Sequence, residues 1–384
     1  MDQKKPKRRN DLDWLRVLLI LSVFLFHSGR AFHQWDWHIK DVTSPGFATV
    51  LGFMEMWMLP AIFLVSAAAI WYSLGYKKAG RFIWGKVLRL FVPLVFGIFI
   101  LSPHQVYLER FTHGQFFGSF FQWFPHYFEG LYGLEEGGNF AFHGMHLWYL
   151  MLLFMFSLLL LPLFLLLRSK VGRPIVRGIG SFLKIPGLIY LMGLLLAVPM
   201  AYINPESILG IREFAGWNMV YYIIILFFGY LIFADERIQQ AIIKQRFVSL
   251  IVAIALYVML NWGLFIKTRI NLVGWWFQYT VSSWCFVLTI LGFGMKYLTA
   301  TGRFLHYGTE AVLPFYMLHQ PIILLIAFWV VQRQIPILAK YLIIVILSFA
   351  GIMLLYEGVR RVGVLRFFFG MKQRRAVAKV QERD

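Results

Sequence analysis

The first apolar stretch of the sequence carries an arginine and a histidine that could act together. Arg16 and His27 are eleven positions apart. At 100° and 1.5 Å per residue, a helix puts both side chains on one face, roughly 16 Å apart along its axis. The imidazole is a candidate general base because its unperturbed pKa is near neutrality. The alternative is an arginine that extends to the interface and a histidine bonded to a backbone carbonyl, and the spacing alone leaves both open.

A second candidate pair opens the third apolar stretch. Lys86 and Arg89 are three residues apart and share a helix face, one or two turns into a segment where charges are costly. Such a pair could hold the phosphates of a cytoplasmic ligand, the arginine through two hydrogen bonds and the lysine as a point charge. Ordinary positive charges at the cytoplasmic border of a membrane protein explain the pair equally well.

Two further histidines lie in later apolar stretches. His146 opens the fourth, and His319, with Gln320 and Pro321 after it, interrupts the ninth. A proline inside an apolar span frees backbone groups, which must then be bonded within the protein or in a cavity. The pattern predicts a polar cavity inside a helical bundle, with His319 a stronger candidate than the interfacial His146.

The composition is that of a polytopic membrane protein. Of the 384 residues, 60% are hydrophobic and only 14% charged, with a mean hydropathy of +0.68. These values exclude a disordered chain, a coiled coil and a soluble nucleic-acid-binding domain. The net charge of +19 therefore indicates basic loops against a membrane rather than nucleic acid as a partner. Cys285 is the single cysteine, and no metal or phosphate-binding motif is present, so we expect no metal and no permanently bound cofactor.

Ten stretches are long and apolar enough to cross a bilayer, which needs about 20 residues each. They lie near 12–32, 48–75, 83–102, 146–167, 185–203, 217–233, 248–266, 273–297, 311–331 and 338–357. The sequence thus predicts an all-α integral membrane protein, a bundle of about ten transmembrane helices. Most Lys and Arg residues fall on one side of this arrangement, which places both termini in the cytoplasm.

The chain divides into a basic N-terminus (1–11), one membrane domain (12–357) and a basic tail (358–384). We expect the first apolar stretch to remain as an uncleaved helix. The tail suits docking on anionic lipids of the inner leaflet. The longest connection, an outer loop of about 103–145, is rich in aromatic residues, which could stack on sugar rings or line the membrane interface.

Four segments, in order, resemble the integral-membrane acyltransferase-3 family. The resemblance covers most of the chain and rests on Leu12-Asp13-Trp14-Leu15-Arg16 with His27, on Lys86 to Pro93, on His146-Leu147-Trp148-Tyr149-Leu150 and on Phe315 to Pro321. Lys86 stands where the family typically has arginine, which keeps the charge but loses bidentate geometry. Within the family, Trp37-His38 and the ending Leu354 to Glu357 resemble the branch of glucan biosynthesis protein C, which succinylates periplasmic glucans.

The resemblance implies an O-acyltransferase of the bacterial inner membrane. It would take an acyl group from cytoplasmic acyl-CoA and deliver it to a hydroxyl of a periplasmic or cell-surface glycan, with membrane lipids as its surroundings. On that basis Arg16, Lys86 and Arg89 would bind the acyl-CoA, and His27 would be the general base. His319 or His146 would orient His27 or the acceptor, or donate to the oxyanion.

Two other classes of function fit some of these features. A secondary transporter of a small polar solute also has broken spans and intramembrane charges. Against it, the sequence has no internal repeat, and its charges gather at one mouth rather than at the midplane. A structural subunit of an envelope complex is the third possibility, and it would not need His27.

Overall fold

The chain folds as a bundle of helices. A computed structural model describes residues 8–203, 218–261 and 269–372. Within these ranges the only extended pairing is a single bridge between Leu131 and Phe140. The all-α prediction is confirmed. The N-terminal lysines at 4, 5 and 7 and the tail beyond residue 372 lie outside the described residues.

Among the residues that the structure describes, seven helices are long and apolar enough to cross a membrane. They are Asn10–Phe32, Pro45–Leu74, Ala79–Thr112, Glu236–Asn261, Val273–Tyr297 (within the helix Arg269–Tyr297), Arg303–Val330 and Ile337–Val359. Two bent helix pairs raise the number of candidate spans to nine. The sixth predicted stretch forms the helix Met219–Ala234, which at 16 residues is shorter than the usual span.

Local sequence explains both bent pairs. Helices Met145–Leu159 and Leu161–Arg168 meet at 49° beside Pro162, whose ring lacks the N–H of a continuous helix. Helices Gly172–Leu183 and Leu188–Tyr202 meet at 114°, where Gly187 has a φ of 89°, a value open to glycine. The first member of the second pair was expected to be a basic connection, and the structure makes it a helix.

The third helix extends further than the sequence predicts. It runs to Thr112, ten residues into the segment expected to be the outer loop. Pro103 does not end it, because the turn before it is π-helical: the N–H of Ser102 bonds to the carbonyl of Gly97 at 2.8 Å. The loop that follows packs around its own small core, which contains Val106, Trp123, Tyr127, Ala141 and Met145.

The two ends of the bundle differ in charge. At one end, which we call the basic end, Arg9 bonds to Tyr72 and Gln239, and Arg168 lies over the ring of Trp71. At the other end, which we call the loop end, the segment 103–145 covers the connection between the first two helices. There Thr112 donates to the carbonyl of His38 at 2.8 Å.

The first helix is central to the bundle. It packs against Arg303–Val330, Pro45–Leu74 and Arg269–Tyr297. Close approach to the last of these depends on Gly294, where an added Cβ would lie 2.7 Å from a methyl carbon of Leu15. This packing brings His27 of the first helix beside the proline-interrupted part of Arg303–Val330.

Candidate functional site

Three predicted histidines meet inside the bundle. Nδ1 of His27 lies 2.9 Å from Nε2 of His319, and their ring centroids are 5.0 Å apart. The ring of His146 lies perpendicular to that of His319, also at 5.0 Å. The structure therefore brings together residues from the first helix, the start of the fourth predicted span and the ninth predicted span.

Pro321 shapes this cluster through the backbone. In an α-helix the N–H of residue 321 would bond to the carbonyl of Met317, and proline has none. That carbonyl instead accepts a hydrogen bond from Nε2 of His146 at 3.0 Å. The expectation that the proline frees a backbone group for use inside the protein is confirmed in this contact.

Backbone carbonyls also fix which nitrogens carry hydrogen. A carbonyl only accepts, so the 2.5 Å contact with Tyr316 requires a hydrogen on Nδ1 of His319. Nε2 of neutral His319 is then an acceptor, and Nδ1 of His27 donates to it. The lone pair of His27 is left on Nε2, which has no hydrogen-bond partner among the residues that the structure describes. This is the arrangement that a general base needs.

The predicted cations form a second cluster, nearer the basic end. Arg16, Lys86 and Arg89 lie close enough to repel one another, and Lys77 joins them. The side chain of Arg16 is 31% exposed and pairs with Asp13 at 3.2 Å. Sequence analysis missed Lys77 as a member of this cluster, because that residue lies in the connection before the third helix.

Arg89 lies on an unusual helical turn. The third helix is π-helical over Val87–Phe91, just before Pro93. Single π-helical turns arise where a helix accommodates an extra residue and are frequent at functional sites. The turn leaves Arg89 exposed.

A narrow cavity of about 130 Å³ lies between the two clusters. Arg16 borders it, and so do Tyr149 and Tyr316; the remaining lining is Ser66 and aliphatic side chains. Tyr316 donates to the carbonyl of His146, so the cavity reaches the residues that surround the histidines. Its apolar wall suits a slender, uncharged chain rather than a hydrated ion.

The loop end adds residues that sequence analysis did not assign to the site. Nδ1 of buried His38 bonds to the buried carboxylate of Glu109, which also accepts from the hydroxyl of Tyr132 at 2.8 Å. Nε2 of Gln320 lies 3.1 Å from Nε2 of His38. Trp37 stacks on His27 with a centroid distance of 6.4 Å and an interplanar angle of 9°. The sequence signals for this group were the Trp37-His38 pair of the resemblance and the position of Gln320 between His319 and Pro321.

Another histidine near this end is held neutral. His143 lies in the turn before His146 and is buried. Burial lowers its pKa from the usual 6.5 to about 4. Among residues 8–203, 218–261 and 269–372, no group of three or more His, Cys, Asp or Glu side chains could hold a metal ion.

The site lies within a segment that matches a known protein family. The family model, described as an acyltransferase domain, matches residues 9–357. The match therefore includes the histidine cluster, the cation cluster and the cavity between them. Neither a curated protein nor a solved structure matches the chain.

Proposed function

The chain belongs to the acyltransferase-3 family, and from this membership we propose that it moves an acyl group from cytoplasmic acyl-CoA to a carbohydrate hydroxyl across the membrane. It is an acyltransferase and a multi-pass membrane protein. The identity of the donor, the side of the membrane that it binds and the class of acceptor are the proposal. The bacterial inner membrane is its proposed location.

The cation cluster supports acyl-CoA as the donor. Coenzyme A carries phosphate groups, and Lys86, Arg89 and Lys77 concentrate positive charge near Arg16, which lines the cavity. Arginine binds phosphate through two parallel hydrogen bonds, and lysine adds a point charge. Exposed Arg89 and half-buried Arg16 would contact the phosphates first.

The observation that carries the proposal is the cavity that Arg16 lines together with Tyr316, whose hydroxyl donates to the carbonyl of His146. The pantetheine arm of coenzyme A is a slender chain of roughly 20 Å when extended. Arg16 and His27 are separated by roughly 16 Å along the first helix. An arm anchored at Arg16 would therefore place its thioester at the histidine cluster.

The chemistry at His27 follows from its free nitrogen. Nε2 of His27 takes the proton of the acceptor hydroxyl as the oxygen attacks the thioester carbonyl carbon. A C–O bond forms, and the carbonyl electron pair moves to its oxygen. When this intermediate collapses, the C–S bond breaks and the leaving thiolate takes the proton from His27. The products are an ester and free coenzyme A, and an apolar cavity limits competing hydrolysis.

The acyl group and acceptor are proposed from sequence resemblance. Trp37-His38 and the ending Leu354 to Glu357 resemble the glucan-succinylating branch, so we propose succinyl transfer to a periplasmic glucan. In the structure Trp37 stacks on His27. Family membership disfavours the transporter interpretation, because the matched family is one of enzymes.

A glycan comparison tests the function in cells. Periplasmic and envelope glycans from strains with wild type, His27→Ala or no protein are analysed by mass spectrometry. We expect a defined acyl increment with the wild type only. His126→Ala, which changes an exposed histidine of the outer loop, is the matched control and keeps the increment. If His27→Ala is inserted in the membrane and retains the full increment, the role of His27 is wrong.

A ligand experiment tests the donor site separately. Coenzyme A should raise the Tm of the purified protein in detergent, and Arg89→Glu should abolish that shift. Arg333→Glu reverses an exposed charge at the loop end and should leave the shift unchanged. No shift in the wild type, together with counterflow of a solute in liposomes, would support a transporter instead.

A further inference from the structure

The site lacks one catalytic element if only the three histidines are considered. The N–H of His319 donates to the backbone carbonyl of Tyr316, and the N–H of His146 donates to the backbone carbonyl of Met317. The N–H of His27 donates to His319. Neutral imidazole has one N–H, so none of these rings has a donor left for the oxygen that becomes negative during acyl transfer. A preorganised donor for that oxygen is a major source of catalysis in acyl transfer.

The side-chain amide of Gln320 can supply the missing hydrogen-bond donor. Its amide nitrogen carries two hydrogens, and one points to Nε2 of His38 at 3.1 Å. The second has no acceptor among the residues that the structure describes. The residue is only 3% exposed, so this donor lies in a largely water-excluded place, where it interacts strongly with a developing charge.

His38 and Glu109 fix the amide in this orientation. The Glu109 carboxylate accepts from Nδ1 of His38, which leaves an acceptor lone pair on Nε2 of that imidazole. Only the amide N–H₂ of Gln320, and not its carbonyl, can donate to that lone pair. Glu109 is held in turn by the hydroxyl of Tyr132 at 2.8 Å and by Arg110 at 3.4 Å.

Contacts link this amide to the general base in a closed ring. His27 bonds to His319, whose neighbour in the chain is Gln320. Gln320 bonds to His38, whose neighbour Trp37 stacks on His27. His27 and Gln320 thus belong to one connected group of side chains, and the thioester would bind beside both.

We propose that Gln320 is a catalytic residue whose second amide N–H binds the thioester carbonyl oxygen, and that the His38–Glu109 pair positions it. The inference rests on the proposed acyl transfer. As the hydroxyl oxygen attacks the carbonyl carbon and His27 takes its proton, the carbonyl electron pair moves onto the oxygen bound by Gln320. When the carbonyl re-forms, the C–S bond breaks, the thiolate takes the proton from His27, and the amide is unchanged.

The test compares hydrolysis with transfer. Release of coenzyme A from succinyl-CoA and acetyl-CoA is measured with purified protein, with water alone and with a periplasmic glucan extract. Gln320→Met keeps the size of the side chain but has no N–H, so kcat should fall by about 10²–10³ in both assays, with unchanged KM for the donor. Gln320→Glu should lose at least as much, because a carboxylate repels the oxyanion.

A matched control is available. Gln332→Met changes an exposed glutamine that follows the same helix and should behave as wild type. Glu109→Gln should lower kcat without changing the Tm shift given by coenzyme A. Combined with Gln320→Met, it should cost nothing further, because two residues that act through one interaction are not additive. If Glu109 and Gln320 had purely structural roles, the free-energy losses of the two substitutions would add in the double variant, and its Tm would be lower.

The outcomes separate the two proposals. Wild-type protein that releases no coenzyme A in either assay overturns the proposed function. An active wild type with a folded Gln320→Met of unchanged kcat overturns the role of Gln320. A loss confined to the glucan assay also overturns it, because that result places the amide at the acceptor. If Gln320→Met unfolds, a folded Gln320→Glu with wild-type kcat overturns the role, and one with reduced hydrolysis and transfer supports it.

Discussion

The backbone carbonyl of Met317 accepts a hydrogen bond from Nε2 of His146 at 3.0 Å, although the two residues are 171 positions apart. The bond exists because Pro321 cannot donate to that carbonyl within the helix. A proline thus joins the start of one predicted span to the middle of another. It also fixes the hydrogen of His146 on one nitrogen, beside the histidine pair that we propose as the base.

Pro321→Ala should lower activity without lowering stability. Alanine restores a backbone N–H that competes with His146 for the carbonyl of Met317, so the histidine cluster shifts. Displacements of this kind cost roughly tenfold to 100-fold in kcat. Removing a helix-interior proline does not itself destabilise the helix. The measurement is kcat for acyl transfer, with Tm in detergent as the check on folding.

Pro314→Ala is the control in the same helix, since residue 314 is buried but none of the histidine bonds involves it. It should retain at least half of the wild-type kcat. Equal losses in the two variants would mean that general helix geometry matters, and that the carbonyl of Met317 does not.

His319→Phe should reduce kcat by about 100-fold or more, because His27 loses the acceptor that keeps its hydrogen on Nδ1. Adding His27→Ala to this variant should cost nothing further, since the two rings act as one unit. His306→Phe changes an exposed histidine on the same helix and should keep wild-type kcat. Losses that multiply in the double variant would show independent roles.

Helix positions were predictable because runs such as Leu147–Leu167 are long and apolar enough to span a membrane as a helix. The helix Gly172–Leu183 was missed because arginines interrupt its apolar residues. The extension past Pro103 was missed because proline normally ends a helix, and a π-helical turn here accommodates it. Such turns depend on packing that a single sequence does not encode locally.

Candidate site residues could be chosen from the sequence one by one, whereas the contacts between them could not be predicted. The positions of His27 and His319 mark both as unusual inside apolar spans. Their hydrogen bond joins residues 292 positions apart, and the bond between His38 and Gln320 spans 282. Only tertiary structure gives the ring nitrogen that faces each partner. The assignment of hydrogens, and with it the spare N–H of Gln320, follows from those contacts alone.

Asp41→Asn should destabilise the loop end by about 3 kcal/mol, because it leaves the ammonium of Lys340 buried without a counter-charge. The two side chains are each 9% exposed and lie 2.6 Å apart. The measurement is the free energy of unfolding, or Tm, in detergent. Asp36→Asn removes a carboxylate that is 83% exposed and should change little. A Tm equal to that of the wild type for Asp41→Asn would contradict the importance of this ion pair.

Stability should fall in acid, and His143 should account for a measurable part of the fall. Burial lowers the pKa of this imidazole to about 4 in the folded protein, against 6.5 when it is free in solution. Between these values the unfolded chain binds more protons than the folded one, so stability decreases as the pH falls from about 6.5 towards 4. The slope from this one group reaches about 1.4 kcal/mol per pH unit.

The Tm of His143→Gln should therefore fall less between pH 7 and pH 5 than the Tm of the wild type, even if the variant has the lower Tm at pH 7. The quantity to compare is the change in Tm between pH 7 and pH 5, because taking this change cancels the effect of the substitution on Tm at neutral pH. His126→Gln, at an exposed histidine of the same loop, should follow the wild-type curve. Parallel curves for His143→Gln and wild type would mean that this imidazole has the same pKa in the folded protein as in the unfolded chain, and that the turn before His146 is open to water.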